Sequence, residues 1–542
     1  MPAMIQQLRD CSLTFAHRPA LWVEDREYSY RELFAQADLI ACQIQKLTTT
    51  DAVLVLSKKS FKGYAGILSC FLAGVTYIPL NDSFPTDKLV DIIQSSGCTT
   101  LLADPGCEES LLKLLQQLPD PLTVLVSGKT SNLSYAQGVH TLADNLDDNE
   151  TVNEYAASYA NGHLQSTGST KHCAKAEPVS NSHLAYLMFT SGSTGKPKGV
   201  PVSTQNLLSY LEHIRKLYDF TPYDRHSQFF EFTFDLSMHD IMVCWTSGGC
   251  LYAADGFAKL MPLHFASKHK LTVWFSVPSQ VSAAQAVLKN KFFKQQLPNL
   301  RYSLFCGEAL PASLTRDWAS VAPHSSIDNL YGPTEATIAY TWLRVDPDKH
   351  GECGIIPIGK PFGDNKVMVL DEQQRLVASG EIGQLYLYGP QVVAEYWQDP
   401  ANTQKSFLNL AVDNNSQQAH LYCTGDLVSQ SPSDELAFHG RADQQIKMRG
   451  YRIELQEIEN KIRSLTGSQQ VAVLAHPIGI NGEVLGLAAF YDALGFNEHE
   501  MILLCRKVLP DYMIPSRGYY LAKFPHNANG KVDRKALLTL AE

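Results

Sequence analysis

The 542-residue chain lacks the marks of several common kinds of protein. Its twelve cysteines include no C-x-x-C pair, and their wide scatter fits reduced thiols better than a disulfide framework or a zinc site. Basic charge is short: 45 Lys and Arg against 55 Asp and Glu leave a net charge of -10. That balance argues against a nucleic-acid scaffold, whose phosphate contacts call for a basic face. Met1 to Asp10 shows no basic stretch leading into an apolar core, so no secretory signal is expected and a cytoplasmic location is. The uncharged stretch 63–80 is broken by Ser69, Gly74, Thr76 and Pro79. It reads as a buried helix, a turn at Gly74 and a short buried strand rather than a membrane span. A Walker P-loop is missing too. The pair Gly195-Lys196 has Thr190 where that motif needs glycine and is followed by Pro197 instead of Ser or Thr.

What is present is a chain with 45% hydrophobic residues, able to bury large cores and too long for one ordinary domain. Short β-rich runs at 51–57, 99–103 and 122–127 alternate with helical patterns at 30–47 and 88–96, the βαβ rhythm of buried, mainly parallel sheets. From 127 to 182 the apolar content falls and Ser, Asn, Asp, Gly and Thr dominate, which predicts a surface insertion. A second boundary falls near Gly440 to Asp443. Beyond it, strands at 470–475 and 485–491 with helices at 454–463 and 498–508 suffice for a small α+β domain. The expected division is therefore 1–442 and 443–542.

The segment Thr190, Ser191, Gly192, Ser193, Thr194, Gly195, Lys196, Pro197, Lys198, Gly199 follows the apolar run 184–189. Its glycines expose backbone N–H groups, its hydroxyls can reach phosphate oxygens, and it carries two lysines. This is a phosphate-handling loop after a strand. Glu335, in the turn Gly332-Pro-Thr-Glu335, can hold Mg²⁺, a hard cation that prefers carboxylate and phosphate oxygens, and Thr334 can donate to a phosphate. Taken alone, Glu335 reads first as a solvated loop carboxylate.

Together with Asn329 to Ala336, Tyr422 to Asp426, Gly440 to Glu454 and Asn529 to Arg534, the loop resembles the adenylate-forming superfamily of amino-acid adenylation domains, acyl-CoA ligases and luciferases. With Tyr28 to Leu33 and Leu72 to Pro79, the motifs span nearly the whole chain in the family's order. The resemblance implies an α/β fold: a large N-terminal domain of mainly parallel sheets flanked by helices, a small β-barrel-like subdomain, and a smaller mobile α+β C-terminal domain. It implies ATP and Mg²⁺. Tyr331 would face adenine, Asp426 would accept the ribose hydroxyls, and Arg441 would add a ribose or phosphate contact. Lys531 would bridge the substrate carboxylate and the α-phosphate, and Asp443 would be the hinge that swaps Lys531 for the segment near Gly450. Cys423 and Lys88 stand where the family often has arginine, and neither is expected to touch the chemistry.

The implied reaction is attack of a carboxylate on the α-phosphorus of ATP. The carboxylate is already ionised at neutral pH, so no general base is needed; the protein has to bring anions together and stabilise phosphoryl charge. Thr190, Glu335 and Lys531 are the residues expected to matter most. In Phe232 to His239, Asp235 matches the aspartate that pairs with the α-ammonium in amino-acid adenylation domains; the alternative is a helix N-cap. The resemblance gives a pocket of Asp235, Leu236, His239, Phe275, Leu304, Cys306, Leu330, Ile338 and Ala339, mostly apolar and compact. The text around Phe305 to Pro311 looks like D-alanine:carrier-protein ligases and stand-alone L-prolyl-carrier-protein ligases. L-proline is the expected substrate, with D-alanine or an unusual acid passed to CoA as alternatives. The expected acyl acceptor is the phosphopantetheine thiol of a separate peptidyl carrier protein, with no nucleic acid or membrane partner.

Overall fold

A computed structural model describes residues 3–48, 50–128, 139–141, 183–192, 196–351, 354–411, 418–479, 483–493, 495–526 and 532–541. The expected insertion at 127–182 lies almost wholly outside the described residues. Two large sheets dominate the first 360 residues. In the seven-stranded sheet, the strand Ala52–Leu56 lies between Thr76–Leu80 and Thr100–Ala103, all parallel. Leu184–Thr190 adds to it in parallel, and Lys198–Ser203 folds back antiparallel along the edge. The nine-stranded sheet has a parallel centre: Cys250–Ala253, Arg225–Gln228, Val273–Ser276, Tyr302–Phe305 and Ser326–Tyr331. Its central strands are almost fully buried, as continuous apolar runs covered on both faces require.

The uncharged stretch at 63–80 folds as expected. Phe61–Ala73 is a helix, Gly74 ends it in the left-handed region at φ 75°, and Thr76–Leu80 is a wholly buried strand. Glycine at that position avoids the Cβ clash that a left-handed cap imposes. The helix Tyr30–Leu47 packs on it and starts with a capping box in which Ser29 and Glu32 satisfy each other's backbone N–H groups. Among the described helices, none is long and apolar enough to cross a membrane. Among the described residues, nine cysteines are free thiols. Cys42 is disulfide-bonded, against the expectation that all would be reduced.

A five-stranded antiparallel sheet follows, built on Ile382–Tyr388 and the long strand Gln418–Gln430. After it, the hairpin Gln445–Met448 and Tyr451–Glu454 leads into the helix Leu455–Thr466. The last part is a three-stranded sheet, Val471–Ala475, Leu487–Tyr491 and Arg517–Tyr520, with helices Glu498–Val508 and Arg534–Ala541. Its apolar clusters draw only on residues from 446 onward and share no member with those of the earlier sheets.

Candidate active site

In open α/β sheets ligands bind beyond the carboxyl ends of the strands. Thr190 ends one parallel strand, Gly307 follows another, Thr334 follows Ser326–Tyr331, and Asp235 lies in the connection after Arg225–Gln228. All four line one cavity of about 100 Å³, with Ser191, Leu236, Cys306, Ile338, Asp426 and Arg441. Residues of the late hairpin, Lys447, Gly450, Tyr451 and Arg452, close it from the other side.

Asp235 stands at the N-cap position of the helix Leu236–Ser247, yet its side chain caps nothing there. Its Oδ2 instead accepts the Ile338 N–H at 3.2 Å. It is buried and has no ion-pair partner among the described residues. Burial, only partly offset by the Ile338 N–H and the Thr334 hydroxyl, pushes its carboxyl up to about 6. A carboxylate held this way gains most from a cation brought by a ligand.

Glu335 is fully buried, which excludes the solvated-loop reading. Arg452 Nη1 reaches both its oxygens, at 2.9 and 2.8 Å, and the Tyr396 hydroxyl donates at 2.8 Å. Lys198 Nζ lies 3.6 Å away and also over the Tyr396 ring. Burial would raise the Glu335 carboxyl, but Arg452 and Lys198 outweigh it and hold it down at about 2. Burial also brings the Lys198 ammonium down to about 8, against the pull of Glu335. Lys198 thus sits in the Glu335 network, whereas Lys196 is exposed.

The Tyr331 hydroxyl donates to Asp426 Oδ2 at 2.5 Å, and Arg441 Nη1 donates to Asp426 Oδ1 at 2.5 Å. Arg441 also holds Asp443 through Nε and Nη2, each at 2.7 Å. Tyr331, Asp426, Arg441 and Asp443 are therefore one connected cluster. Ser193, Thr194, Gly195 and Lys531 lie outside the described residues.

Asp235, Leu236, Cys306 and Ile338 line the cavity, but His239, Phe275, Leu304, Leu330 and Ala339 are buried without lining it. His239 Nδ1 is bonded to the Tyr210 hydroxyl at 2.6 Å and its ring packs on Phe275 at 4.3 Å. Burial drives the imidazole down to about 3, so it is neutral. Lys88 also lines the cavity, with its Nζ 3.4 Å from the Tyr512 hydroxyl and 4.0 Å from Glu457.

Sequence reasoning missed the hairpin side chains and Glu308. Gly450 N–H donates to Glu308 Oε1 at 2.8 Å, while Glu308 Oε2 takes the Ser279 N–H at 2.9 Å. Gly450 has φ 81°, and a Cβ there would stand 2.7 Å from Val277 Cγ1. Lys447 Nζ lies 5.6 Å over the Tyr331 ring, the face expected to meet adenine. Glu308 and Arg452 stood inside recognised motifs, so their positions were available but their partners were not.

The carboxyl ends of the strands thus bring together a cavity with a buried carboxylate that has no ion-pair partner among the described residues, a second carboxylate held ionised nearby, and a tyrosine–aspartate–arginine cluster. Residues 9–397 match the model of the AMP-binding enzyme family, and the chain belongs to that family. Its members form adenylates from ATP with Mg²⁺, and this chain is an adenylate-forming ligase. Over 551 residues it is 30% identical to a D-alanine–D-alanyl carrier protein ligase of Bacillus licheniformis, covering 98% of each chain. It is 30% identical over 527 residues to part of a linear gramicidin synthase of Brevibacillus parabrevis, covering 96% of this chain and 9% of that one. The Vibrio cholerae adenylation domain AlmE, solved with glycyl-adenosine-5'-phosphate, is similar at 31% identity and a TM-score of 0.85, over 100% of this chain and 98% of that one.

Proposed function

We propose that the chain activates a small uncharged amino acid as its aminoacyl adenylate, releasing pyrophosphate, and passes the acyl group to the phosphopantetheine thiol of a separate carrier protein. The observation that carries this reading is Asp235: buried, without a cation among the described residues, and beside the cavity. An α-ammonium would restore its charge balance, which neither an acyl-CoA ligase substrate nor a luciferin offers.

Glycine or D-alanine fits the cavity better than L-proline does. The apolar lining nearest Asp235 is Leu236, Cys306 and Ile338, while His239 is taken up by Tyr210 and Phe275, and this suits a hydrogen or methyl side chain. The relatives' substrates, D-alanine and glycine, agree with that size. L-proline remains the second reading on one observation, the apolar character of Leu236, Cys306 and Ile338.

The roles follow from placement. Asp235 pairs with the ammonium and orients the acid. Thr190, Ser191 and Thr334 offer hydroxyls to phosphate, with Gly192, Ser193, Thr194, Gly195 and Lys196 completing the loop. Asp426, supported by Tyr331 and Arg441, takes the ribose. Glu335, an ionised oxygen donor, would hold Mg²⁺, which supplies charge neutralisation to the phosphates. Among the described residues there is no cluster of three or more His, Cys, Asp or Glu, as suits a Mg²⁺ shared with substrate phosphates rather than caged by protein. Lys531 bridges the two reacting anions. The chain divides at 442/443, with Asp443 as hinge. The deciding experiment is ATP–pyrophosphate exchange with glycine, both alanine enantiomers, L-proline and larger amino acids. Exchange is expected with glycine or D-alanine, and preference for a charged or large aromatic amino acid would sink the reading.

A further inference from the structure

We propose that Lys59 is a positioning residue for Asp235: its ammonium clamps the backbone where the connection 229–235 begins and so sets where that carboxylate stands in the cavity. The inference rests on the reading of Asp235 as the partner of the substrate's α-ammonium, and it names the group, from the other large sheet, that holds Asp235 in place.

Lys59 follows the strand Ala52–Leu56 of the seven-stranded sheet and is buried. Its Nζ donates to three backbone carbonyls of the nine-stranded sheet: Phe229 at 2.9 Å, Ala254 at 3.0 Å and Gln228 at 3.3 Å. Those carbonyls stand at the carboxyl ends of the neighbouring parallel strands Arg225–Gln228 and Cys250–Ala253. One side chain thus spends all three of its N–H groups on tying the two large sheets together at the ends that face the cavity. Tyr64, from the helix that begins just after Lys59, holds the next residues. Its hydroxyl donates to Gln228 Oε1 at 2.8 Å, Gln228 Nε2 donates to the Phe230 carbonyl at 2.7 Å, and the Tyr64 ring meets Phe232 edge-on at 5.0 Å. The Phe234 N–H then closes a turn on the Glu231 carbonyl at 3.0 Å, and Asp235 follows.

Among the described residues no carboxylate lies within ion-pair distance of Lys59. Burial brings its ammonium down to about 7; Lys259 adds to that fall, while Glu231, Asp255 and Asp240 oppose it. A buried ammonium held by carbonyls alone is costly, and an apolar side chain would fill the same space for less. What the ammonium provides, and an apolar side chain would not, is an anchor that fixes two strand ends to each other. The cost falls on stability and the benefit on geometry, since displacing a reacting group by about 1 Å slows a reaction by on the order of a hundredfold. Without the clamp the connection keeps the helix Leu236–Ser247 and the Ile338 N–H at its far end but loses the anchor at its start. The loss falls on the amino acid rather than on ATP. Among the described residues, Thr190, Ser191, Thr334, Asp426 and Arg441 make no hydrogen bond to Lys59, Tyr64 or Gln228.

The test is ATP–pyrophosphate exchange by the full chain with glycine and D-alanine as probes, varying amino acid and ATP separately, with thermal unfolding of each variant alongside. Lys59→Met, close in volume but without donors, should raise the amino-acid KM by about tenfold or more and leave the ATP KM within about twofold of wild type. Lys59→Arg keeps charge and donors and should recover part of the loss. A pH profile of the wild type reads the same contact without a substitution. Lys59 sheds its proton as the pH passes about 7, and the neutral amine has only two N–H groups for three carbonyls. The wild-type amino-acid KM should therefore rise between about pH 6.5 and about pH 8.5, and Lys59→Arg, which stays charged, should not show that rise. The proposal is overturned if folded Lys59→Met keeps the wild-type amino-acid KM, or if it raises both KM values alike, the mark of a general loss of structure. Should Lys59→Met not fold, the profiles decide, and a wild-type amino-acid KM that stays flat across that range overturns the proposal. Absence of exchange with any amino acid would refute the adenylation reading itself, whereas exchange indifferent to Lys59 refutes only the positioning role.

Discussion

Asp235→Asn should make the unliganded protein more stable and the enzyme nearly inactive. The Asp235 carboxyl rises from 3.8 to about 6 because burial penalises its charged form. That rise corresponds to roughly 3 kcal/mol of cost to the folded state at neutral pH. The sign is the reverse of the usual carboxylate case. Between about pH 4 and 6 the folded state binds a proton that the unfolded state has released, so stability falls as pH rises through that window. The cost is full above about pH 6 and absent below about pH 4. Asparagine keeps an acceptor for the Ile338 N–H but carries no charge, so it removes the cost. Thermal or urea unfolding without substrate should therefore show the variant ahead of the wild type at about pH 7.5, with the gap closing by about pH 4. In ATP–pyrophosphate exchange the same variant leaves a buried ammonium unpaired, a loss of roughly 3 kcal/mol or more, or at least about a hundredfold in kcat/KM. Wild-type kcat/KM for the amino acid should also decline below about pH 6 as Asp235 protonates. Equal stability of variant and wild type at about pH 7.5, or near-normal exchange by the variant, would refute the argument that Asp235 is held charged for a ligand.

Gly450→Ala should impair transfer to a pantetheine thiol and spare pyrophosphate exchange, because the added Cβ would stand 2.7 Å from Val277 Cγ1 only when the hairpin is docked. An overpacking cost of about 1–3 kcal/mol predicts a slowing of roughly fivefold to a hundredfold in single-turnover transfer, and Val277→Ala in the same chain should relieve the contact while leaving the strain of the left-handed backbone. His239→Ala should open the pocket floor behind Leu236 and Cys306, raising L-proline exchange relative to glycine and D-alanine by about tenfold or more; an unchanged ratio would show that the floor does not set size. Tyr396→Phe removes a donor 2.8 Å from Glu335. The lost charge-assisted bond, about 1.5–3 kcal/mol, should appear as weaker hairpin protection in hydrogen exchange of the unliganded chain.

The parts of the fold and site that could be read from the sequence are those set by local pattern. The break at Gly74 is local, since the helix, its left-handed cap and the buried strand all follow from one short stretch of chain. Asp235 and Glu335 could be picked out because each sits in a short motif with a chemical reason for a carboxylate. Their surroundings could not. Arg452 shares its hairpin with Lys447 and Arg449, and alternate residues of a strand face opposite ways, so nothing local says which cation meets a carboxylate 117 residues earlier. The partner of His239 was hidden for the same reason: Tyr210 bonds it from another helix. The two buried carboxylates then separate by a single physical criterion. Asp235 has no cation among the described residues and is pushed up by burial, while Glu335 has two and is held down. A cavity-lining carboxylate folded without a counter-ion leaves a place for a ligand that supplies one. The motif names the acid in both cases; only the identity of the neighbouring cation tells what the acid is for.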